Sequence, residues 1–199
     1  MRPDNVTAAT ACAVFALVAF AGCSEEPDPT WGEELVGIYT VESLTENDGS
    51  CDAEGVSVLA DDRDHMVVFS GSDFGGRYVR AEGCADVAAC RQLVQNVREN
   101  RGIPVTFSFS FRSDEGDHLA GAWVTTGYSG GPVCTDAEVT TFRLVQPTET
   151  TVRVEARSVI VDHPPDADGI CWTNDTQTAA AGKPCNFLQT VGATRIESL

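Results

Sequence analysis

The stretch Val105-Thr-Phe-Ser-Phe-Ser-Phe-Arg112 alternates apolar and polar residues without a break, and that period of two constrains the fold more than any other feature. Val105, Phe107, Phe109 and Phe111 share one face, while Thr106, Ser108, Ser110 and Arg112 share the other. An extended strand with one buried face satisfies such a pattern; a helix does not. The turn residues Asp114-Glu115-Gly116-Asp117 follow, and residues 118–126 return as a second strand. Residues 139–145 and 150–161 read as another hairpin around Gln146-Pro147-Thr148-Glu149, with Val152 and Val154 facing in and Arg153, Glu155 and Arg157 facing out. Shorter strands are expected over 35–44, 56–59, 65–69 and 78–82, and 188–196 closes the chain. One segment has the other period. Asp86 is placed to cap a helix through Asn100, with Val87, Cys90, Val94 and Val97 on one stripe and Gly102 and Pro104 ending it. Residues 162–187 are the least regular and read as a long loop. Roughly nine strands in hairpin order with one short helix predict an all-β fold, either an antiparallel β-barrel or a β-sandwich.

The amino-terminal end carries an address. A short apolar run over residues 11–21 leads into Phe20-Ala21-Gly22-Cys23, and the acidic stretch Ser24-Glu-Glu-Pro-Asp-Pro follows at once. The run is shorter than the roughly 20 residues that a permanent membrane-spanning helix needs. This arrangement resembles the signal peptide and lipobox of bacterial lipoproteins. The resemblance implies that residues 1–22 are removed, that Cys23 is acylated through its sulfur, and that the mature protein is anchored by lipid. Ser24 after the cysteine, rather than Asp, implies sorting to the outer membrane. The plainer reading is a secretory peptide cleaved after a small residue, leaving a soluble secreted protein. Residues 23–33 then form a lipidated cysteine and an acidic tether, and residues 34–199 a single domain large enough to bury a sizeable core.

A net charge of −17 argues against nucleic acid as a partner and against lying flat on anionic lipid, since both require Lys/Arg clusters. Once Cys12 leaves with the signal and Cys23 takes lipid, Cys51, Cys84, Cys90, Cys134, Cys171 and Cys185 remain. An even count in an exported domain predicts three disulfides, and the spacing holds no Cys-x-x-Cys of the kind that binds zinc. The connectivity is open from sequence, with Cys171–Cys185 closing one loop as the first expectation.

The segment Glu34-Leu35-Val36-Gly37-Ile38-Tyr39-Thr40-Val41 resembles the Gly-x-Trp opening strand of lipocalin-like barrels, with Tyr39 in the place of Trp. Barrels of that kind often carry an Arg on the final strand over the aromatic ring, and Arg195 is placed to do so. The resemblance implies a lipocalin-like β-barrel with a small apolar ligand inside it.

Four patterns invite a chemical reading. Gly127-Tyr128-Ser129-Gly130-Gly131-Pro132 fits Gly-x-Ser-x-Gly and resembles the surroundings of a chymotrypsin-like serine, but Tyr128 stands where the protease carries Asp. A nucleophile elbow also needs a strand before and a helix after, whereas another strand is expected here, so a glycine-rich hairpin loop is the better reading of Ser129. The three histidines each follow an aspartate (Asp64-His65, Asp117-His118, Asp162-His163), a pairing that could serve a metal. An up-and-down strand order puts His118 at the end opposite His65 and His163, so the three are not expected to converge. Asp166-Ala167-Asp168-Gly169 echoes the start of a calcium loop without its closing Glu, and Asp61-Asp62-Arg63-Asp64 is most simply a turn. The Phe107, Phe109 and Phe111 face is expected to be core rather than a cavity lining.

No catalytic residue, metal ligand or cofactor is assigned. The expectation is a non-enzymatic envelope lipoprotein that acts as a binding or interaction module, with the membrane as one partner and a small apolar ligand or a protein as the other. The alternatives are a secreted serine hydrolase using Ser129 and a purely structural surface protein with a filled core.

Overall fold

Among the described residues eleven strands pair antiparallel throughout, as the alternating pattern requires. The structure is a computed structural model and describes residues 30–59, 64–99, 107–129 and 132–199. In chain order the strands are β1 (Gly37–Asp48), β2 (Val56–Ser57), β3 (His65–Asp73), β4 (Gly76–Cys84), β5 (Ser108–Phe111), β6 (Ser113–Asp114), β7 (Leu119–Thr125), β8 (Tyr128–Ser129), β9 (Cys134–Thr148), β10 (Thr151–His163) and β11 (Phe187–Ser198). Their order in the sheet is β5-β4-β3-β1-β11-β10-β9-β7-β6, with β2 on β1 and β8 on β9.

The sheet curls until its two ends touch, but its ladders do not close into a barrel; it fits the sandwich alternative. The seam explains how. At Arg112 the chain leaves β4's side, where β5 pairs, and continues as β6 against β7 at the opposite end of the sheet. The Arg112 N–H donates to the Ala120 carbonyl at 2.7 Å, which is where the two ends meet. Gly121 allows that approach, because a Cβ there would fall on the Ser110 carbonyl oxygen. A strand that switches partners in this way turns a corner of the fold. The hairpin expected between 105–112 and 118–126 is therefore corrected: β5 pairs with β4, and only β6 pairs with β7.

The inner faces of the strands converge on one core that includes Tyr39, Leu44, Met66, Val79, Phe111, Leu144, Val154 and Val191. Phe107, Phe109 and Phe111 belong to it, as their alternation predicts. A second core lies on the outer side of β1, β3 and β4. There α1 (Val87–Arg98) lays Cys90, Leu93 and Val94 against Ile38, Val67, Phe69 and Tyr78. Buried on both faces, β3 reads Met66-Val67-Val68-Phe69 without alternation. The Asp86 carboxylate caps α1 by accepting from the Ala89 N–H at 2.7 Å.

A second helix, α2 (Thr173–Ala180), sits within the stretch read as a loop and packs on β10, β9 and β7. Its sequence carries almost no apolar stripe, so only tertiary contacts reveal it. His163 on β10 makes one of them: it is buried, with Nε2 3.0 Å from the Thr176 hydroxyl and Nδ1 2.9 Å from the Pro164 carbonyl.

Three disulfides join Cys51 to Cys185, Cys84 to Cys90 and Cys134 to Cys171. The pairing expected between Cys171 and Cys185 is not formed. Cys171 leads into α2 and reaches the start of β9, while Cys185 leads into β11, whose neighbour β1 continues to Cys51. Strand pairing brings Cys51 and Cys185 together across 134 residues, while Cys84 and Cys90, six apart, tie the end of β4 to α1.

Candidate ligand cavity

The register divides the domain into two ends. Gly37, Leu119, Thr148, Thr151 and Ser198 lie at one; Asp48, Cys84, Thr125, Cys134, His163 and Phe187 lie at the other. The first end is plugged. Trp31 and Leu35 are buried in the main core, Arg77 stacks over the Trp31 ring at 5.5 Å, and the Tyr39 hydroxyl donates to the Leu35 carbonyl at 2.7 Å. Arg195 lies over the Tyr39 ring at 5.9 Å and donates to the carbonyls of Glu34 and Glu149. Its placement follows from the β1–β11 register, which sets Tyr39 opposite Arg195.

Toward the other end the core opens into a cavity of about 680 Å³. The inward rows of β7 and β9 run Leu119, Gly121, Trp123, Thr125 and Leu144, Phe142, Thr140, Glu138, paired in that order. Leu119 and Leu144 are buried, yet Trp123 is 60% exposed on the same row, because the cavity lies in front of it. Phe109, Phe142, Ala156 and Phe187 supply further apolar wall. The polar wall is a hydrogen-bonded chain. The Thr140 hydroxyl donates to Glu138 at 2.5 Å, which leaves Ser158, 2.9 Å away, to donate to Thr140. Gln189 also lines the space and donates to Glu46 at 2.7 Å.

Near the seam the lining passes to Arg80, Ser108, Ser110 and Arg112. Arg112 grips Asp73 through both terminal nitrogens at 2.7 and 2.8 Å, holding the Asp73 carboxyl down at about 2. Arg80 lies 3.9 Å from Glu82, whose side chain is almost fully buried. Burial pushes the Glu82 carboxyl up to about 7, against the opposing pull of the Ser108 hydroxyl, which donates to it at 3.0 Å, and of Arg80. Among the described residues, Arg80 Nε, Glu82 Oε2 and Ser110 Oγ find no hydrogen-bond partner.

The residues singled out from sequence lie elsewhere. Ser129 pairs with Cys134 in the β8–β9 hairpin, and the element that follows is a strand. Gly127 has a left-handed backbone with φ of 74°, and a Cβ there would strike the Thr135 carbonyl, so the glycine serves the hairpin. His65 and His163 are at the open end and His118 is at the plugged end, as the strand order predicts. Each ring is engaged locally: His65 with Asp64 at 2.6 Å, His118 with Asp117 at 2.5 Å, and His163 with Thr176. Among the described residues, no three His, Cys, Asp or Glu side chains converge. Asp166 spends its carboxylate on its own loop, accepting from the N–H groups of Ile170 and Asp168 and from the Trp172 indole. The Ile170 bond is the main cause of its lowered pKa. Cys23 and the run Asp61-Asp62-Arg63 lie outside the described residues.

Sequence reasoning assigned no role to Trp123, Glu138, Thr140, Ser158 or Gln189. The available signal was polar residues at inward positions at one end of otherwise apolar rows. Against known proteins, the chain matches no family model, no curated protein and no solved structure.

Proposed function

We propose that this protein is a lipid-tethered binding module whose cavity takes a small, largely apolar ligand. The observation that carries the reading is Trp123, a large aromatic side chain on an inward-facing row left uncovered by protein. A space of about 680 Å³ with aromatic walls and a few convergent polar groups has the size and lining of a small-molecule site. A purely structural role would call for that space to be filled.

In this reading Cys23 carries the lipid and holds the domain to the cell envelope, with Ser24 favouring the outer membrane. About seven residues separate Cys23 from Thr30, a reach of roughly 25 Å at full extension. The described chain enters the fold at the plugged end, next to the buried Trp31.

The test is the native mass of the exported protein, recorded beside its denatured mass. A native excess that disappears on denaturation, together with quenching of Trp123 fluorescence on refilling, supports a ligand site. A bare mass and no response to apolar probes would end the reading. Loss of radiolabelled fatty acid in Cys23→Ser tests the anchor separately.

A further inference from the structure

The cavity's ionisable groups do not balance. Three line it: Arg80, Arg112 and Glu138. Arg112 has both its terminal nitrogens on Asp73, and Arg80 faces the buried Glu82. Glu138 has no such partner. Among the described residues no Arg, Lys or His lies within ion-pair distance of it, and its bond is to a neutral hydroxyl, that of Thr140. Arg112 is thus opposed by a carboxylate of its own, and so is Arg80 once Glu82 ionises, above about pH 7; Glu138 is then the carboxylate left uncompensated.

Its position gives that excess a meaning. Glu138 pairs with Thr125 and Thr140 with Trp123, so Glu138 and Trp123 are diagonal neighbours on one inward face. A carboxylate beside an open indole face is a complementary pair for an organic ammonium, which draws on ion pairing and on the ring quadrupole together. Phe109, Phe142 and Phe187 extend the apolar wall beyond it. The net charge of −17 adds long-range attraction for cations.

We propose that the ligand is a cationic amphiphile, an ammonium group seated between Glu138 and Trp123 with its apolar body along Phe109 and Phe142. This rests on the cavity being a ligand site, and the test separates the two ideas. Three probes share a ten-carbon chain: decyltrimethylammonium, decanol and decanoate. Each is titrated at pH 8, where Glu82 is ionised, into the full-length exported protein below its micelle or solubility limit, with calorimetry and tryptophan fluorescence as readouts. The ammonium is expected to bind at least tenfold more tightly than decanol, and that advantage should shrink several-fold in 0.5 M salt. Glu138→Gln, which keeps an acceptor for Thr140, should bring the ammonium to the level of decanol and leave decanol unchanged. Trp123→Ala should weaken both probes, the ammonium more.

Equal binding of decanol and the ammonium, or an undiminished advantage in Glu138→Gln, would overturn the cationic assignment while keeping the cavity. Preference for decanoate would overturn it in favour of the unpartnered Arg80 Nε and Ser110 hydroxyl. No binding of any probe would overturn the cavity reading itself.

Discussion

The two ends of this domain are held by different physics. The plugged end is closed by apolar burial and short turns: Trp31 and Leu35 fill the core, and β3–β4 and β9–β10 turn tightly at Asp73–Gly76 and Thr148–Thr151. The open end carries all three disulfides, at Cys51–Cys185, Cys84–Cys90 and Cys134–Cys171. Its inner face is Thr140, Ser158, Glu138 and Gln189 around a cavity, which supplies little apolar burial. Where burial is given up, covalent crosslinks constrain the chain instead. The comparison teaches that bracing and the cavity share an end because a vacant core requires a substitute for its own packing.

The largest effects should come from removing that substitute. In the chain-entropy account, crosslinks spanning 134, 37 and 6 residues contribute about 5, 4 and 2 kcal/mol respectively. Double Cys→Ala variants should therefore lose stability in the order Cys51/Cys185, Cys134/Cys171, Cys84/Cys90, measured by denaturant unfolding. A reversed order would mean that local packing, not loop closure, sets what each bridge is worth. At the plugged end the equivalent loss is Trp31→Ala, expected to cost about 3–5 kcal/mol by emptying a buried site. If it cost under about 1 kcal/mol, the contrast between a packed end and a braced one would fail.

How much of this could be read from sequence follows the same division. The packed parts were legible because burial imposes a period: Phe107, Phe109 and Phe111 alternate, Val152 and Val154 alternate, and Asp86 announces α1. Tyr39 and Arg195 were legible as a pair through the opening and closing strands, and the structure stacks them. The braced end was not. Disulfide partners are set by which strands neighbour each other, and β11 beside β1 carries Cys185 to Cys51 rather than to nearby Cys171. Helix α2 escaped because its register on β10 depends on His163 and Thr176 and not on an apolar stripe. The cavity escaped because an inward Thr, Ser, Gln or Glu looks outward in a linear pattern.

Between the ends lies Glu82, and it offers a pH-dependent test. Its carboxyl stands at about 7 in the fold against an ordinary 4.5, mainly through burial. The folded state thus keeps a proton that the unfolded chain releases. The contribution is fully present below pH 4.5 and is lost as pH rises through 7. The fall should be about 3 kcal/mol across that window, from about 1.4 kcal/mol per unit. Glu82→Gln should flatten it, gaining stability relative to the parent at pH 8 and little at pH 4. Parallel pH profiles for the two proteins would mean that the acidic surface, and not this buried group, governs the dependence.

The smallest expected effect is the most diagnostic. Trp123 and Trp31 are the same residue type at opposite ends of one sheet, 60% and 8% exposed. Trp123→Ala removes a side chain that the protein hardly packs against, so unfolding should shift by no more than about 0.5 kcal/mol. Ligand binding should nonetheless drop, since the exposed indole lines the cavity. A large stability loss would show Trp123 to be core, and the open end would then be a packed end after all. A neutral stability with unchanged binding would leave the cavity empty of purpose at that wall and move the ligand toward the Arg80 side. Neutral stability with lost binding is the combination that separates an end built to hold the fold from an end built to hold something else.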